Sequence, residues 1–478
     1  MSFQSVLAVV SFVALSSCAS LSPQESFGNV QSLVAERGIS SVRWNQDTQA
    51  DAEALQAIRD LLARDLTPDS AVQIALLGNA RLQATFEELG VAQADLVQAG
   101  MLSNPVFYGE VRFPPHPRVS PLELDVVQSF LDVFLMPMRK RIAEAQLEGV
   151  KARVAGAVLD LAAEVRSRYY ELQGAEQLLD MHRTIVEAQE ASADAAQRLH
   201  AAGNVTDLDL AREQALLAEV EIDLARAEQQ ALEARESLTV SMGVATTEFA
   251  MTARLPDLPE LDPEAGDLED LALSGRLDLS AARANLQATA QSAGLTRYQA
   301  LSEGTLGIHL EREPENTTTI GPSLELSIPI FDRGQAVRAR FSAELRRGER
   351  EYAARVLEVR SEVRRARSQM LSARRTVERF RDVLLPLREQ IVQDTLLRYN
   401  GMLVGVFELL QAKKEAVHAG TEYVRALQEY WTARTELEHA VGGRMPDGAQ
   451  KPHDQEPKPA QPNPAEDEHE GHQHGGKS

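Results

Sequence analysis

The segment LELDVVQSFLD, residues 122–132, returns about 200 residues later as SLELSIPIFD, residues 323–332. Both copies alternate apolar with polar side chains, which predicts a strand with two unlike faces, and both run straight into a helical pattern. The matched positions are Leu124 with Leu324, Val126 with Leu326, and Asp132 with Asp332. A strand that leads directly into a helix, present twice, indicates that the chain contains a duplicated unit.

The sequence on either side of this segment repeats at the same distance. Two further segments have similar sequences. They are ALLGNARLQATFEELGVAQADLVQAG, from Ala75, and ALSGRLDLSAARANLQATAQSAGLTRYQALSEG, from Ala272. RLHAAGNVTDLDL returns as LRYNGMLVGVFEL, which aligns Gly203 with Gly401. Each unit is therefore predicted to be a helix, two strands, a very long helix, a glycine turn and a long returning helix. We assign residues 67–242 to the first repeat, 243–266 to a linker and 267–443 to the second repeat.

The helices are predicted to be much longer than a globular core requires. From Leu147 to Leu172 apolar residues follow in steps of three and four, and no proline lies between Arg139 and Val244. A helix from Arg139 to Ala202 would be about 95 Å long, about three times the thickness of the hydrocarbon part of a bilayer. Such a helix cannot belong to a compact domain of ordinary size.

A glycine is expected to end each long helix and reverse the chain. Gly203 breaks the first one, and Thr206 or Asp207 can cap the helix that returns. The landmarks expected of the second hairpin are its start near Gln335, a kink at Pro386, a turn at Gly401–Gly405 and its end at Val441.

Four segments have the period of a strand, at about residues 104–113, 121–131, 304–312 and 320–330. Each has one apolar and one polar face, and its length suits a tilted membrane strand. Two soluble hairpins would show the same alternation, but these strands lead into helices longer than a soluble core requires. We expect the apolar face to meet lipid and the polar face to line a wet lumen. The residues expected in the barrel lumen are Glu110, Glu123, Asp125, His309, Glu311 and Glu325.

The strands also predict an oligomer. Four strands are too few to close a membrane barrel, which needs about eight, and an open sheet edge in lipid leaves backbone groups unpaired. The chain must therefore associate with copies of itself in order to insert.

The N-terminus has the features of an export signal. Residues 1–17 are uncharged and contain an apolar run, and LSSC, ending at Cys18, resembles a bacterial lipoprotein box. We therefore expect residues 1–17 to be a signal peptide, Cys18 to carry an N-terminal lipid, and residues 18–66 to form a lipid-anchored segment. The alternative is that Cys18 is an ordinary small residue of the cleavage region.

Charge and motifs exclude other classes of protein. The chain has a formal net charge of -22, so it would repel a phosphate backbone, and no nucleic-acid partner is expected. An enzyme is not expected either, because HExxH, Walker A, GxSxG and CxxC patterns are absent.

The last segment, residues 444–478, is rich in Pro, Glu and Gly, a composition typical of disorder. Its closely spaced His469, His472 and His474 stand beside carboxylates, a combination that can bind Cu, Zn or Ni ions weakly. The alternative is a solvated tail without a ligand.

The motifs PIFDRG, at Pro329–Gly334, and GMLVGVFELLQAK, from Gly401, resemble the TolC family of outer-membrane efflux proteins. The resemblance covers about residues 67–443 and implies a mainly α-helical chain with a membrane β-barrel portion. It implies a homotrimer, a channel-tunnel with twelve strands in the barrel and twelve helices in a periplasmic tunnel. In the first repeat SFLDVF lacks the proline and glycine of the motif, so we expect that long helix to start with a different geometry.

The resemblance also implies location and partners. The chain would lie in the outer membrane of a Gram-negative bacterium, extend into the periplasm, and work with a periplasmic adaptor (membrane fusion) protein and an inner-membrane transporter. The turns at Gly203 and Gly401 would form the pore mouth and contact the adaptor. Asp207 and Asp209 follow the first turn, and Glu408 lies one position beyond the place where the family often carries a pore-facing aspartate. These acids would favour cations, or they are helix N-terminal acids stabilised by the macrodipole.

The function predicted from the sequence is a passive exit channel of a tripartite efflux system. If the tail binds metal, the cargo is metal ions. The alternatives are the same duct serving drugs or secreted polypeptides, and a lipid-anchored coiled-coil scaffold without a pore.

Overall fold

The computed structural model describes residues 23–443 except 47, 114, 116–118, 261, 263–267, 300–303, 314, 316 and 329. Cys18 and the tail histidines His469, His472 and His474 lie outside the described residues. The helices are α1 Pro23–Ala35, α2 Gln49–Leu62, α3 Pro68–Gly78, α4 Ala80–Ala99, α5 Leu131–Ala201, α6 Asp207–Met242, α7 Leu268–Gly275, α8 Leu277–Gln299, α9 Gln335–Arg379, α10 Leu385–Asn400 and α11 Val406–Ala440. The strands are β1 Val106–Val111, β2 Leu122–Ser129, β3 Gly304–Arg312 and β4 Thr318–Leu326.

The predicted duplication is visible in the order of elements. Each repeat contains two helices separated by one residue, a strand pair, a long helix and a returning helix. In space, α5 packs against α6 of its own repeat and against α8 and α11 of the other. The two repeats therefore form one helical body.

The repeats also close in the same way. α6 is followed by Gly243 at φ 72°, whose backbone lies against Asn79, the residue between α3 and α4. α11 is followed shortly by Gly442 at φ 89°, which lies against Gly275 and Arg276 at the break between α7 and α8. Both positions require glycine, because they combine a left-handed backbone with a close approach to another backbone.

The strands form one antiparallel sheet in the order β1-β2-β3-β4. Asp125 of β2 is directly opposite His309 of β3, and Glu123 is directly opposite Glu311. Because neighbouring residues of a strand point to opposite faces, this register puts the carboxylates and the histidine of the sheet on one face. The opposite face carries the exposed apolar residues Phe107, Val126, Leu306, Ile308, Ile320 and Leu324.

The strand bounds correct the sequence prediction at three of the four strands. β1 and β2 are shorter than residues 104–113 and 121–131, whereas residues 304–312 match β3. The fourth strand lies at 318–326 instead of 320–330, because the register sets its ends. Leu326 pairs with Gly304, the first residue of β3, and Thr318 pairs with Arg312, the last.

The two long helices begin differently, as the departure from the PIFDRG motif predicts. α9 starts after Gly334, whose φ is 73° and whose N–H donates to Asp332 Oδ1 at 2.8 Å. α5 instead starts at Leu131, directly after β2, and includes Pro137. The expectation of a first helix from Arg139 was therefore wrong, because the helix tolerates this proline near its beginning.

The interruption expected at Pro386 takes a particular form. A π-helical turn at Phe380–Leu384 separates α9 from α10, and Pro386 stands in the first turn of α10. A proline has no N–H to donate to the preceding turn, and a π turn is one of the recognised ways in which a helix accommodates such a break.

The linker between the repeats is tied to both of them. Gln173 of α5 donates to the Thr252 carbonyl at 2.9 Å and to the Arg254 carbonyl at 2.8 Å. Trp431 of α11 donates to the Pro256 carbonyl at 2.8 Å. The main hydrophobic core lies beside this linker, and α1 contributes Phe27 to it. Among the described residues, no helix has the length and apolar character needed to cross a membrane.

Candidate functional site

The polar face of the sheet brings together five of the six side chains predicted to line a lumen. In one row across the sheet Glu110, Glu123 and Glu311 are neighbours, and in the adjacent row Asp125 faces His309. Glu325 lies on the same face but away from this group. It pairs with Thr305 of β3, and only Gly307 lies between Thr305 and His309 on that face of the strand. The alternation therefore predicted the grouping, and whether this face lines a lumen stays a prediction.

The centre of the polar face is a histidine between carboxylates. His309 Nδ1 lies 2.7 Å from Asp125 Oδ1, and His309 Nε2 lies 3.8 Å from Glu311 Oε2. Donor atoms of Glu123, Asp125 and His309 all lie within 4.8 Å of one another. These three side chains have the residue types and the spacing to ligate one metal ion.

A second network adjoins this group and was not predicted from the sequence. Arg112 donates from Nε to Glu110 Oε1 at 2.7 Å and from Nη2 to Glu123 Oε2 at 3.2 Å. The Tyr108 hydroxyl donates to Glu110 Oε2 at 2.6 Å. Alternation placed Tyr108 and Arg112 on the polar face, but the reach of Arg112 across to β2 depends on the register.

The opposite face is apolar and open. Phe107, Ile308 and Ile320 are 67%, 59% and 72% exposed, respectively. A contiguous exposed apolar surface on a protein marks a site of contact with lipid or protein. The sheet thus has the two unlike faces that a strand wall between lipid and water requires.

The helical turns lie far from the sheet along the chain and differ from each other. Gly203 has φ 75°, as expected of a glycine that reverses the chain. At the second turn Gly401 has φ -79°, and Met402, at φ 57°, takes the left-handed position instead. Met402 and Leu403 are 93% and 78% exposed. The two glycines aligned by sequence therefore do not have equivalent conformations.

The acids at these turns have different surroundings. Asp209 belongs to a capping box, since the Thr206 hydroxyl donates to its Oδ2 at 2.7 Å and its own N–H donates to the Thr206 hydroxyl at 3.2 Å. These hydrogen bonds from Thr206 lower the pKa of Asp209. Asp207 is 99% exposed at its side chain, and its Oδ1 lies 2.6 Å from His200 Nε2. Glu408 is exposed in the first turn of α11. Capping is therefore the role that the geometry supports for Asp209.

Sequence comparison finds relatives. The family described as outer membrane efflux protein matches residues 131–244, which contain α5, the Gly203 turn and α6. The cobalt-zinc-cadmium resistance protein CzcC of Cupriavidus metallidurans is 24% identical over 390 residues, covering 80% of this chain and 91% of that protein.

Solved structures share the fold. Crystal structures of CusC, a protein that forms a transmembrane channel, match with a TM-score of 0.68 at 16% identity, covering 79% of this chain and 92% of that one. A membrane protein from Pseudomonas aeruginosa matches with a TM-score of 0.68 at 18% identity, covering 84% and 97%. The outer membrane protein VceC of Vibrio cholerae matches with a TM-score of 0.61 at 17% identity, covering 82% and 97%. These matches confirm the predicted combination of long helices with a few antiparallel strands.

Proposed function

We propose that the chain is an outer membrane efflux protein of the TolC family and that it is the passive exit duct of a tripartite efflux system for metal ions. The observation that carries the proposal is the sheet, whose apolar and polar faces suit a wall between lipid and water, continued into two long helical hairpins. The cargo is suggested by the similarity to a cobalt-zinc-cadmium resistance protein along 91% of its length. The duct performs no catalysis.

The sheet edges call for an oligomer, and the resemblance to the TolC family makes it a trimer. β1 and β4 are the outer strands of the four-stranded sheet, so each has an edge without a partner strand among the described residues. In lipid such edges must be paired, and three copies would supply twelve strands, enough to close a barrel. The hairpins then extend from one end of the barrel into the periplasm.

The hairpin ends are proposed as the contact with a periplasmic adaptor. Met402 and Leu403 stand exposed at the second turn, and Leu208 stands 59% exposed just after the first. Apolar side chains at the end of a long helical hairpin suit burial against another protein. The inner-membrane transporter would reach the duct through that adaptor.

Cys18 is proposed to carry a lipid that anchors the N-terminal segment to the inner leaflet of the outer membrane. α1, which begins soon after it at Pro23, packs on the helical body, with its Phe27 ring 5.2 Å from Phe86 of α4 and 5.7 Å from Trp44. In Cys18→Ser, palmitate labelling should disappear and membrane association should loosen. Labelling that persists in Cys18→Ser would contradict the anchor.

The cargo is tested in a strain of the native host that lacks this chain. Cell-associated Co, Zn and Cd should rise under metal challenge and return to the parental level when the wild-type chain is restored. Ethidium, an organic cation, is measured in parallel. A rise in ethidium without a rise in metal would show that the duct serves drugs. Planar-bilayer conductance of the purified protein tests the duct itself, since a scaffold without a pore would conduct nothing.

A further inference from the structure

The proposal here concerns the histidine and the carboxylates at the middle of the polar face. We propose that Glu123, Asp125 and His309 form a binding site for a divalent transition-metal ion such as Zn²⁺ or Co²⁺, with Glu311 as an outer partner of the imidazole. In the proposed duct this site would bind metal ions as they pass through, and this role in transport rests on the proposed function. Binding itself does not.

The donor atoms are near enough to share a single ion once the hydrogen bond between His309 and Asp125 is given up. Zinc lies about 2.0 to 2.2 Å from nitrogen and oxygen ligands, so ligand atoms around it are about 3 to 4 Å apart. The three donor atoms lie within 4.8 Å of one another, and the His309 Nδ1 to Asp125 Oδ1 distance is 2.7 Å. Small rotations of side chains would bring the three atoms to bonding distance, without any change of the strand register.

The second nitrogen of His309 is also placed as metal sites require. A metal-binding imidazole usually donates its other N–H to a carboxylate, which fixes the ring and its tautomer. Glu311 Oε2 lies 3.8 Å from His309 Nε2. This is beyond a hydrogen bond, but a rotation of the exposed Glu311 side chain would close the gap.

The surroundings favour a cation. Five carboxylates of this face stand with the guanidinium of Arg112, and they belong to Glu110, Glu123, Asp125, Glu311 and Glu325. Arg112 uses one oxygen of Glu123, at 3.2 Å, and a carboxylate has a second oxygen for a metal. The side chains of Glu123, Asp125 and His309 are 29%, 20% and 34% exposed, so an ion there would be partly shielded from water.

The donor set indicates the class of ion. Imidazole nitrogen suits Zn²⁺ and other later transition metals, whereas Mg²⁺ and Ca²⁺ prefer sites made only of oxygen. One imidazole with two carboxylates, open on one side to solvent, would hold the ion loosely enough to release it. Release is necessary wherever ions pass through a channel.

The test measures Co²⁺ binding to the full-length protein in detergent, in a background where His453, His469, His472 and His474 are replaced by Ala. That background removes binding by the tail. Asp125→Asn and His309→Gln should each weaken binding by at least about tenfold, a loss that metal sites show even for changes to outer-shell partners. Glu325→Gln is the matched control, because it removes a carboxylate from the same face away from the site. Unchanged affinity in His309→Gln, or an equal loss in Glu325→Gln, would overturn the site.

A second measurement needs no variant at the site. In the wild-type protein Zn²⁺ should protect His309 from modification by diethyl pyrocarbonate, while the exposed His418 on α11 serves as the internal reference. Equal modification of His309 with and without Zn²⁺ would refute the proposal. Both measurements use purified protein and are therefore independent of export in cells. If the purified protein binds no metal at this site but cells still export metal, the site is refuted and the proposed function stands. If the purified protein binds metal but cells export none, the proposed function is refuted and the site stands.

Discussion

Gly243 and Asn79 meet backbone to backbone where the first repeat closes. A Cβ at Gly243 would lie 2.6 Å from the Cα of Asn79 and 3.1 Å from its nitrogen, and the φ of Gly243 is 72°. Asn79 in turn donates from Nδ2 to the Ser241 carbonyl at 2.9 Å and accepts from the Leu82 N–H at 3.0 Å, which caps α4. The end of the returning helix and the start of α4 are therefore joined at one buried point.

This contact predicts a large effect for Gly243→Ala. The left-handed backbone alone costs about 1 to 2 kcal/mol for a residue with a Cβ, and displacing a packed backbone adds about 1 to 3 kcal/mol. Gly203→Ala is the matched control, because Gly203 has φ 75° but nothing within 4 Å of its added Cβ. Denaturant unfolding in detergent, followed by circular dichroism, should show the larger loss in Gly243→Ala. Equal losses in the two variants would mean that the approach to Asn79 is unimportant.

The equivalent point of the second repeat holds an ion cluster around the buried Arg276, which predicts a loss of stability on removing Arg276. This guanidinium, in a residue only 8% exposed, donates to Asp278 Oδ2 at 2.9 Å and to Glu362 Oε2 at 2.6 Å. Breaking a fully buried pair from one side costs about 3 to 5 kcal/mol. The side chains of Asp278 and Glu362 remain 35% and 29% exposed, so Arg276→Leu should lower the free energy of unfolding by less, about 1 to 3 kcal/mol. Arg153→Leu removes the exposed pair with Glu88 and should cost below about 1 kcal/mol. Comparable losses would argue against a structural role for the cluster.

The same cluster predicts a dependence of stability on pH. Burial opposes the charged form of Asp278, but hydrogen bonds from Arg276 and Arg355 outweigh it and lower the pKa of Asp278. A carboxyl with a lowered pKa contributes stability above its ordinary pKa of about 4, and the contribution disappears as the pH falls through the lowered value. Asp278→Asn should therefore flatten the acid side of the stability curve. An unchanged slope below about pH 4 would show that other carboxyls dominate acid unfolding.

Features that depend on local period were predictable from the sequence. The alternation in residues 304–312 located β3 to the residue, because β4 pairs with it along its whole length and β2 along all of it except Gly304. The grouping of Asp125 with His309 on one face also follows from alternation. The ends of β4 do not, because they depend on how far β3 extends beside it, and no local signal carries that information.

Features that depend on three-dimensional approach could not be predicted in the same way. Gly401 was aligned with Gly203 by sequence, but the left-handed residue of the second turn is Met402. The pair of His200 with Asp207 forms only because the turn folds the end of α5 onto the start of α6. Arg276 occupies the position between two helices that Asn79 occupies in the first repeat. The two repeats therefore share this position, but different side-chain interactions stabilise it.

The sheet edges predict an oligomer, and the resemblance to the TolC family makes that oligomer a trimer. Because β1 and β4 end the four-stranded sheet, their outer edges must pair with other copies before the sheet can enter lipid. Crosslinking in mild detergent, checked by native mass measurement, should give three copies. A folded monomer that inserts into bilayers would contradict both the trimer and the barrel.

The final prediction separates the two acids at the first helical turn. Asp209 is engaged by Thr206 in the capping box, with its pKa lowered by those hydrogen bonds, whereas Asp207 is exposed beside His200. If three chains bring the turns to one axis, Asp207→Asn should reduce the cation preference of the channel, because an exposed ring of carboxylates attracts cations.

Asp209→Asn is the paired variant, and it should leave cation preference nearly unchanged while weakening the start of α6. The contribution of Asp209 to helix capping is complete above the ordinary carboxyl pKa and is lost as the pH falls through its lowered value. Ion selectivity in planar bilayers and hydrogen exchange at the first turn of α6 measure the two effects separately. Unaltered selectivity and conductance in Asp207→Asn would show that Asp207 forms no cation-attracting ring at the pore mouth. Helix capping by Asp209 would then be the role that remains for the acids of this turn.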